Sequence, residues 1–355
     1  MLRDLLTKVT NIVTFFRHSE RATTELLSLQ SNLPESKRLK LIQEVKTRWN
    51  SCFEMINRFI VLADHVGKVL LQVKMDKSSK AKPPNMITGD ELESLIEVRD
   101  ILSPLWRVTQ EVCAEKNVTL SKCIPLIASL RKKTENFKPD TLIGRQLQKK
   151  LTQEIETKYG NIESVKLYAC ATLLDPRYKK CAFYSIRESA RAITNVGDLV
   201  RIERNVASQA TGSSAILDDD EVTTAIEAQV SSKDGNDDDD IWSYLDEAVN
   251  YSHSQADTDE AGGLPIQLRQ YLSRPAVQRR QNPNPLVVWE SIKYEYPHLY
   301  NVARKFLSIV ATSVPCERLF SHAGLIANQL RSRLSPQHLN QLVFLRSVSE
   351  DMWDS

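Results

Sequence analysis

Two acidic features of this chain are the first candidates for chemistry. Four consecutive aspartates occupy positions 237–240, and Glu317 lies in the phrase SVPCERLFS. A calcium loop spaces its ligands and needs a glycine at its sharp turn, so the contiguous aspartates predict a solvated acidic run instead. Glu317 falls in the first turn of a predicted helix, where a carboxylate interacts well with the positive end of the helix dipole.

Cysteine spacing gives no sign of a metal site. The six cysteines, at 52, 113, 123, 170, 181 and 316, form no CxxC or C-x4-C pair and are followed by no H-x3-5-H phrase. We therefore expect no zinc and no other cofactor, and the dispersed thiols are typical of a reduced cytoplasmic or nuclear protein. Walker, G-x-S-x-G and H-E-x-x-H motifs are also missing from the sequence.

Apolar residues recur at helical spacing along most of the chain, which predicts a mainly α protein. Trp49 lies on the apolar stripe of the second predicted helix, and Pro104 should kink or break the third. The run LYACATLL at 167–174 fits a short buried strand or a helix end. No apolar run is long enough to span a membrane. The predicted helices cover residues 2–30, 47–73, 90–115, 121–133, 142–159, 266–272, 285–294 and 297–310, with two more beginning at Pro315 and after Ser335.

The net charge of +2 hides a strong asymmetry. Residues 216–260 hold fifteen acids and one lysine, which leaves 46 basic and 30 acidic residues in the rest of the chain. A basic body of this kind suits a nucleic-acid partner, and a lysine-rich solvated surface explains it equally well. The polar, acidic stretch 208–263 buries too little apolar surface to fold, so we predict a disordered insert there.

Several phrases, in a fixed order, resemble the hAT superfamily of transposases, and within it the domesticated zinc finger BED domain-containing branch. The C-terminal phrase, a tryptophan followed by Y-P-x-L, A-T-S-x-P-x-E-R-x-F-S and R-x-x-L, is highly specific for the family's dimerisation region. The resemblance covers nearly all of the chain outside the acidic insert. The phrases are LLTKVTNIVTFFRHSERATTELLSLQ (5–30), EVKTRWNSCFEMINRF (44–59), ATLLDPRYKK (171–180) and the segment 285–347.

The resemblance implies a ribonuclease-H-like fold interrupted by a large helical insertion. On that basis residues 1–207 correspond to the helical insertion domain, 208–263 to the acidic insert and 264–355 to the C-terminal dimerisation domain. The last of these would be the C-terminal remnant of the ribonuclease-H-like fold, with the sheet largely missing. The zinc-binding BED finger of the relatives is also absent from this sequence.

Catalysis in the family uses two aspartates and one glutamate to hold two metal ions. Only Glu317 matches that set here. Asp4 and Asp175 are not substitutes, and the L-D-P-R phrase gives Asp175 the role of a structural turn. We therefore expect no enzymatic activity and treat Glu317 as a vestigial match.

The resemblance also suggests DNA contacts. In active relatives the tryptophan of the T-R-W phrase stacks on an unpaired base, so Arg48, Trp49 and Arg318 are the DNA-contact candidates. The apolar periodicity instead favours packing of Trp49 in the helical core.

The C-terminal helices carry more apolar residues than they could bury without a second layer. Some should form the core and a subset should form the seam of a homodimer, or of a heterodimer with related transposase-derived proteins. The dimerisation candidates are Trp289, Leu299, Phe306, Leu319, Phe320, Leu342 and Phe344.

The sequence therefore predicts a non-catalytic, transposase-derived protein of the nucleus that dimerises and associates with DNA or chromatin. One alternative is a fragment of a longer transposase with metal-dependent strand cleavage. Another is a transcriptional or SUMO-linked regulator, which these residues do not distinguish from the first hypothesis.

Overall fold

The computed structural model is helical throughout the part of the chain that it describes. No residue in that part lies in a β-strand. The mainly α prediction is confirmed, and the ribonuclease-H-like remnant stays a prediction. The structure describes residues 1–76, 82–114, 117–210, 264–278, 283–314 and 335–347, together with residues 317, 318, 321 and 326.

The chain forms two compact units. The first comprises Met1–Val108 and Leu130–Gly160, and the second comprises Thr109–Ser129 and Asn161–Ser355. Residues 161–207 therefore pack with the C-terminal segment, whereas the predicted division placed a domain boundary between them. Nearly all of the predicted acidic insert lies outside the described residues.

The N-terminal stretch contains two helices, α1 (Leu2–His18) and α2 (Glu20–Ser28). Ser19 between them has an extended backbone, and its hydroxyl accepts a hydrogen bond from the backbone N–H of Ala22. Serine is a favoured N-cap, so one residue ends α1 and begins α2 while the apolar stripe continues. The single helix predicted over 2–30 was wrong for this reason.

The first unit is built around α3 (Trp49–Met75) and the first part of α4 (Gly89–Val112). The N-cap of α3 is Arg48, so the helix begins two residues after the start predicted at residue 47. Pro104 lies inside α4 without ending it. The core of this unit joins side chains from α1 to α4, and its largest members include Phe16, Phe59, Met55, Leu70 and Leu95.

Two further helices follow, α5 (Cys123–Asn136) and α6 (Leu142–Tyr159). The bounds predicted for α6 are confirmed. Thr141 is its N-cap, and the threonine hydroxyl accepts a hydrogen bond from the N–H of Gly144 at 3.0 Å.

In the second unit, the ambiguous run at 167–174 is helical. It forms most of α7, a nine-residue helix whose last six residues, 169–174, are buried. Helices from both sides of the acidic insert share one core with α7. These helices are α7 (Lys166–Leu174), α8 (Ile186–Ala210), α9 (Ile266–Ser273), α10 (Pro285–Ser291) and α11 (Pro297–Leu307).

The last described helix is α12 (Pro336–Ser347). The Ser335 hydroxyl accepts a hydrogen bond from the N–H of His338 as an N-cap, and the predicted start of a helix after Ser335 is confirmed. The helix predicted to begin at Pro315 lies largely outside the described residues.

Candidate association surface and buried polar centre

Two of the seven dimerisation candidates belong to the core of the second unit. Trp289 and Leu299 are fully buried by their own chain, against residues of α7 and α8. A buried side chain cannot contact a second protein, so their assignment to the dimer seam was wrong. Phe306 is half-buried and packs against the same core.

Two other candidates lie at the surface of α12, and the remaining two, Leu319 and Phe320, lie outside the described residues. Leu342 is 37% exposed, Leu345 44% and Phe344 64%. Leu342 and Leu345 are one turn apart and therefore lie side by side, and Phe344 projects from another side of the same helix. We call these three residues the C-terminal apolar face.

The L-D-P-R phrase, residues 174–177, forms a buried turn at the end of α7. The Asp175 carboxylate accepts hydrogen bonds from the Ser121 hydroxyl at 2.6 Å and from the Arg177 backbone N–H at 3.0 Å. It also pairs with the Arg177 guanidinium, whose Nε and Nη2 donate at 2.9 and 2.7 Å. The structural role predicted for Asp175 is confirmed.

Burial of the Asp175–Arg177 pair has a clear electrostatic consequence. Both side chains are almost completely removed from solvent. Burial alone would lower the pKa of Arg177, but the adjacent Asp175 carboxylate outweighs it, and the pKa is raised. Removing either partner would leave an uncompensated charge in the interior.

Lys179 connects the same turn to α9. Its backbone has a positive φ of 47°, which is unusual for a residue with a side chain. The buried Nζ donates hydrogen bonds to the carbonyl oxygens of Tyr271 and Arg274, both at 2.6 Å, and lies 4.4 Å from the centroid of the Tyr271 ring. Lys179 therefore satisfies carbonyl groups at the C-terminal end of α9. Burial lowers the pKa of Lys179 to about 7.

Two aromatic side chains complete this buried polar centre, which comprises Asp175, Arg177, Lys179, Tyr271 and Trp289. The Trp289 Nε1–H donates to the carbonyl oxygen of Leu174 at 2.7 Å. The Tyr271 hydroxyl donates to the carbonyl oxygen of Leu173 at 3.3 Å, and the two rings lie 4.8 Å apart. The last carbonyls of α7 thus find partners on α9 and α10.

Sequence reasoning missed Lys179 and Tyr271. Neither stands at a recognisable motif spacing, and a positive φ at a lysine has no sequence signal. The one available clue was the short phrase RYKK directly after a predicted turn, where several cations follow a buried aspartate.

Glu317 and Arg318 are both exposed. The Glu317 carboxylate accepts a hydrogen bond from the Ser313 hydroxyl at 2.6 Å, one helical turn earlier. Within the described residues, no group of three or more histidine, cysteine, aspartate or glutamate side chains could hold a metal ion. The five described cysteines are free, and burial raises the pKa of Cys123 to about 12 and of Cys170 to about 11.

Trp49 lies at the surface of the first unit. It is 40% exposed at the first position of α3, so the prediction that it packs in the helical core was wrong. The loop before it is fixed by Ser51, whose Oγ accepts a hydrogen bond from the Val45 N–H at 2.7 Å and donates to the Arg48 carbonyl at 2.6 Å. These hydrogen bonds fix the backbone at Arg48, directly before Trp49 at the start of the helix.

Two known protein families match parts of this chain. The hAT family C-terminal dimerisation region matches residues 267–349, and the ZBED1 RNase-like helical domain matches residues 1–98. Both ends of this chain are therefore similar to hAT-type proteins.

Individual relatives extend the hAT similarity over almost the whole chain. Zinc finger BED domain-containing protein 4 of Homo sapiens is 25% identical over 98% of this chain and 27% of its own length. The putative AC9 transposase of Zea mays is 24% identical over 97% of this chain and 42% of its own length. The putative transcriptional regulator tpeD of Talaromyces stipitatus is 23% identical, over 97% and 36% respectively. The chain thus spans less than half the length of these relatives.

The hAT dimerisation region has two structural parts here. Helices α9 to α11 supply Tyr271, Trp289 and Leu299 to the core of the second unit, whereas α12 carries the C-terminal apolar face. The helical-domain match contains Arg48 and Trp49. None of the helices in the described ranges has the length and hydropathy to cross a bilayer.

Proposed function

We propose that this chain is the association part of a transposase-derived protein, and that two copies pair through the C-terminal apolar face. A heterodimer with a related transposase-derived protein would use the same surface. The observation that carries this proposal is the exposure of Leu342, Phe344 and Leu345 within a matched hAT dimerisation region in which Tyr271, Trp289 and Leu299 lie in the core.

Core residues and exposed residues of the matched region have different roles, and this difference supports the proposal. Residues that fill the core of one copy stabilise the fold but cannot contact a second copy. A two-fold interface uses the same patch of both subunits, so one short apolar helix contributes twice. Burial of three such side chains per subunit would remove apolar surface from water, which drives most protein association.

Co-purification of two differently tagged copies tests the proposal. We expect the untagged-bait control to recover nothing and the wild-type pair to co-purify. Phe344→Asp together with Leu342→Asp in both copies should abolish recovery, because an ionised carboxylate is costly to desolvate at an interface. Val61→Asp is the matched control, since Val61 is 58% exposed on α3 in the other unit. Equal recovery of the α12 variant and the control would overturn the proposal.

We further propose that the chain by itself does not cleave DNA. Glu317 is exposed and hydrogen-bonded within its own segment, and among the described residues it belongs to no group of three or more histidine, cysteine, aspartate or glutamate side chains that could hold a metal ion. Incubation of plasmid DNA with magnesium or manganese should give no nicking above the Glu317→Gln variant. Metal-dependent nicking that this substitution removes would favour the strand-cleaving transposase instead.

DNA association in the nucleus is the second function that we propose. The exposed indole of Trp49 beside Arg48 supports it, because an aromatic face and a cation are what an unpaired base and its phosphate require. Arg318, which is also exposed, remains a candidate contact. A fluorescent fusion that stays out of the nucleus would contradict this part of the proposal. The role of a transcriptional or SUMO-linked regulator is compatible with the same surfaces.

The domain assignment made from the sequence is part of the same proposal. Residues 1–207 would serve as the insertion-type domain and 264–355 as the dimerisation domain of the longer relatives. Because residues 161–207 pack with the C-terminal helices, the segments 1–207 and 264–355 would have to be expressed together to fold.

A further inference from the structure

A dense cluster of positive charge lies in the first unit, away from Trp49 in sequence. Residues 130–150 contain seven lysine and arginine residues and two acids. They cover the end of α5, the connecting loop and the first half of α6. Neither the sequence motifs nor the family relationship draws attention to this segment.

The segment is a rigid helical hairpin. The Gln148 side-chain amide on α6 donates hydrogen bonds to the carbonyl oxygens of Thr134, at 2.8 Å, and Phe137. Arg131 on α5 forms an ion pair with Glu156 on α6 at 2.9 Å. These contacts hold the two helices antiparallel, so the positions of their outward side chains are fixed relative to one another.

The loop is fixed as well. The Glu97 carboxylate of α4 accepts hydrogen bonds from the backbone N–H of Asp140 at 2.6 Å and from the N–H and hydroxyl of Thr141. This carboxylate is thereby engaged at the N-terminus of α6. The two acids within the segment, Glu135 and Asp140, are both exposed.

Four cations project from this hairpin into solvent: Lys138, Arg145, Lys149 and Lys150. Within the described residues, no carboxylate lies at ion-pair distance from Lys138, Lys149 or Lys150. Arg145 and Lys149 are one turn apart on α6, so their side chains emerge on the same side, about 6 Å apart along the axis. We call these four residues the basic hairpin face.

We propose that the basic hairpin face binds the phosphate backbone of duplex DNA without reading its sequence. This inference rests on the DNA association proposed above and assigns it a surface. Solvated cations on a rigid hairpin can neutralise the phosphates of a duplex and release its counterions on binding. Such contacts position a protein on DNA and carry no base information.

Duplex DNA fits the face better than an acidic peptide does. A peptide site generally adds apolar pockets to its charges. The exposed large apolar residues of α6 are Leu142 and Tyr159, at its two ends, and the side chains between the cations include Gln146 and Gln148. The surface therefore offers charge without an apolar anchor.

The test is a titration of a short duplex with the full chain over a range of salt concentrations, read by fluorescence anisotropy. The triple variant Lys138→Gln, Lys149→Gln, Lys150→Gln should bind about 10- to 100-fold more weakly at low salt. The slope of log K against log salt should fall by about 2–3, because each lost phosphate contact removes about 0.9. The control triple Lys68→Gln, Lys74→Gln, Lys166→Gln, all exposed elsewhere, should match wild type. Circular dichroism of both triples should match wild type.

The possible failures are distinguishable. Salt-dependent wild-type binding that the hairpin triple leaves unchanged would overturn the assignment of this surface and leave DNA association standing. No salt-dependent binding by wild type would overturn both. A synthetic peptide of residues 234–247, which includes the four aspartates, provides the other ligand class. If the triple loses peptide binding and keeps DNA binding, the face is a site for acidic peptide and the proposal is wrong.

Discussion

The indole N–H of Trp289 donates a hydrogen bond to the carbonyl oxygen of Leu174, 115 residues earlier in the chain. The hAT dimerisation region is therefore completed by α7, which lies outside that region in sequence. The same helix end receives the Tyr271 hydroxyl, so two residues of the region close one helix C-terminus. Fragments that begin at residue 264 would lose this support and expose a buried aromatic cluster.

Trp289→Phe tests this connection. The substitution removes the only polar atom of the side chain and leaves the buried Leu174 carbonyl without this donor. We expect the free energy of unfolding to fall by about 1–3 kcal/mol, measured by urea denaturation. Tyr294→Phe, at an exposed position of the same region, should leave it unchanged. Equal stabilities of the two variants would contradict the role given to Trp289.

Asp175→Asn tests the buried ion pair. The substitution leaves the Arg177 guanidinium buried beside a neutral amide, so we expect a loss of about 3–5 kcal/mol in the free energy of unfolding. Asp198→Asn is the matched control, because its ion pair with Arg201 is solvent-exposed, and exposed pairs contribute about 0–1 kcal/mol. A small effect at both positions would show that the turn does not depend on its charge pair.

The lowered pKa of Lys179 predicts that the free energy of unfolding depends on pH. Its pKa is about 7 in the folded protein, against the ordinary lysine value of 10.5. The unfolded chain therefore binds more protons between these two values, and the free energy of unfolding should rise with pH across that window. Below about pH 7 both states are protonated and this contribution is flat.

Urea denaturation of wild type and Lys179→Met from neutral to alkaline pH measures the effect. The difference in unfolding free energy between the two proteins should change in favour of wild type as the pH rises. A difference that stays constant through this range would mean that Lys179 titrates as an ordinary lysine.

Trp49→Ala tests the proposed base contact. Because the side chain is 40% exposed, the change should affect stability little. Binding to DNA with unpaired bases should weaken by about 1–3 kcal/mol, the contribution of one stacked base. Binding to a fully paired duplex serves as the control and should be unchanged. Equal losses for both DNAs, or no loss, would contradict stacking.

Helix positions were predictable from the sequence to the extent that local signals agreed. The bounds of α6 were predicted correctly because Thr141 is a good N-cap and the apolar periodicity ends at Tyr159. The break at Ser19 was missed because the apolar stripe runs through it without interruption. Trp49 was placed in the core because periodicity alone does not reveal that the first helical position faces solvent.

The site depended on tertiary structure, which composition does not specify. Trp289 and Phe344 are equally apolar in sequence, yet one fills the core and the other lies at the surface. Which of them could face a partner follows from the packing of α7 and α8 on the C-terminal helices. The hydrogen bonds of Lys179 join positions more than ninety residues apart, and no local sequence pattern predicts them.

Sedimentation equilibrium of the intact chain tests the central claim most directly. We predict that wild type gives twice the mass of the chain at micromolar concentration, and that the Leu342→Asp, Phe344→Asp variant gives the mass of one chain with an unchanged circular dichroism spectrum. A wild-type protein that is folded and has the mass of one chain at that concentration would contradict association through the C-terminal apolar face.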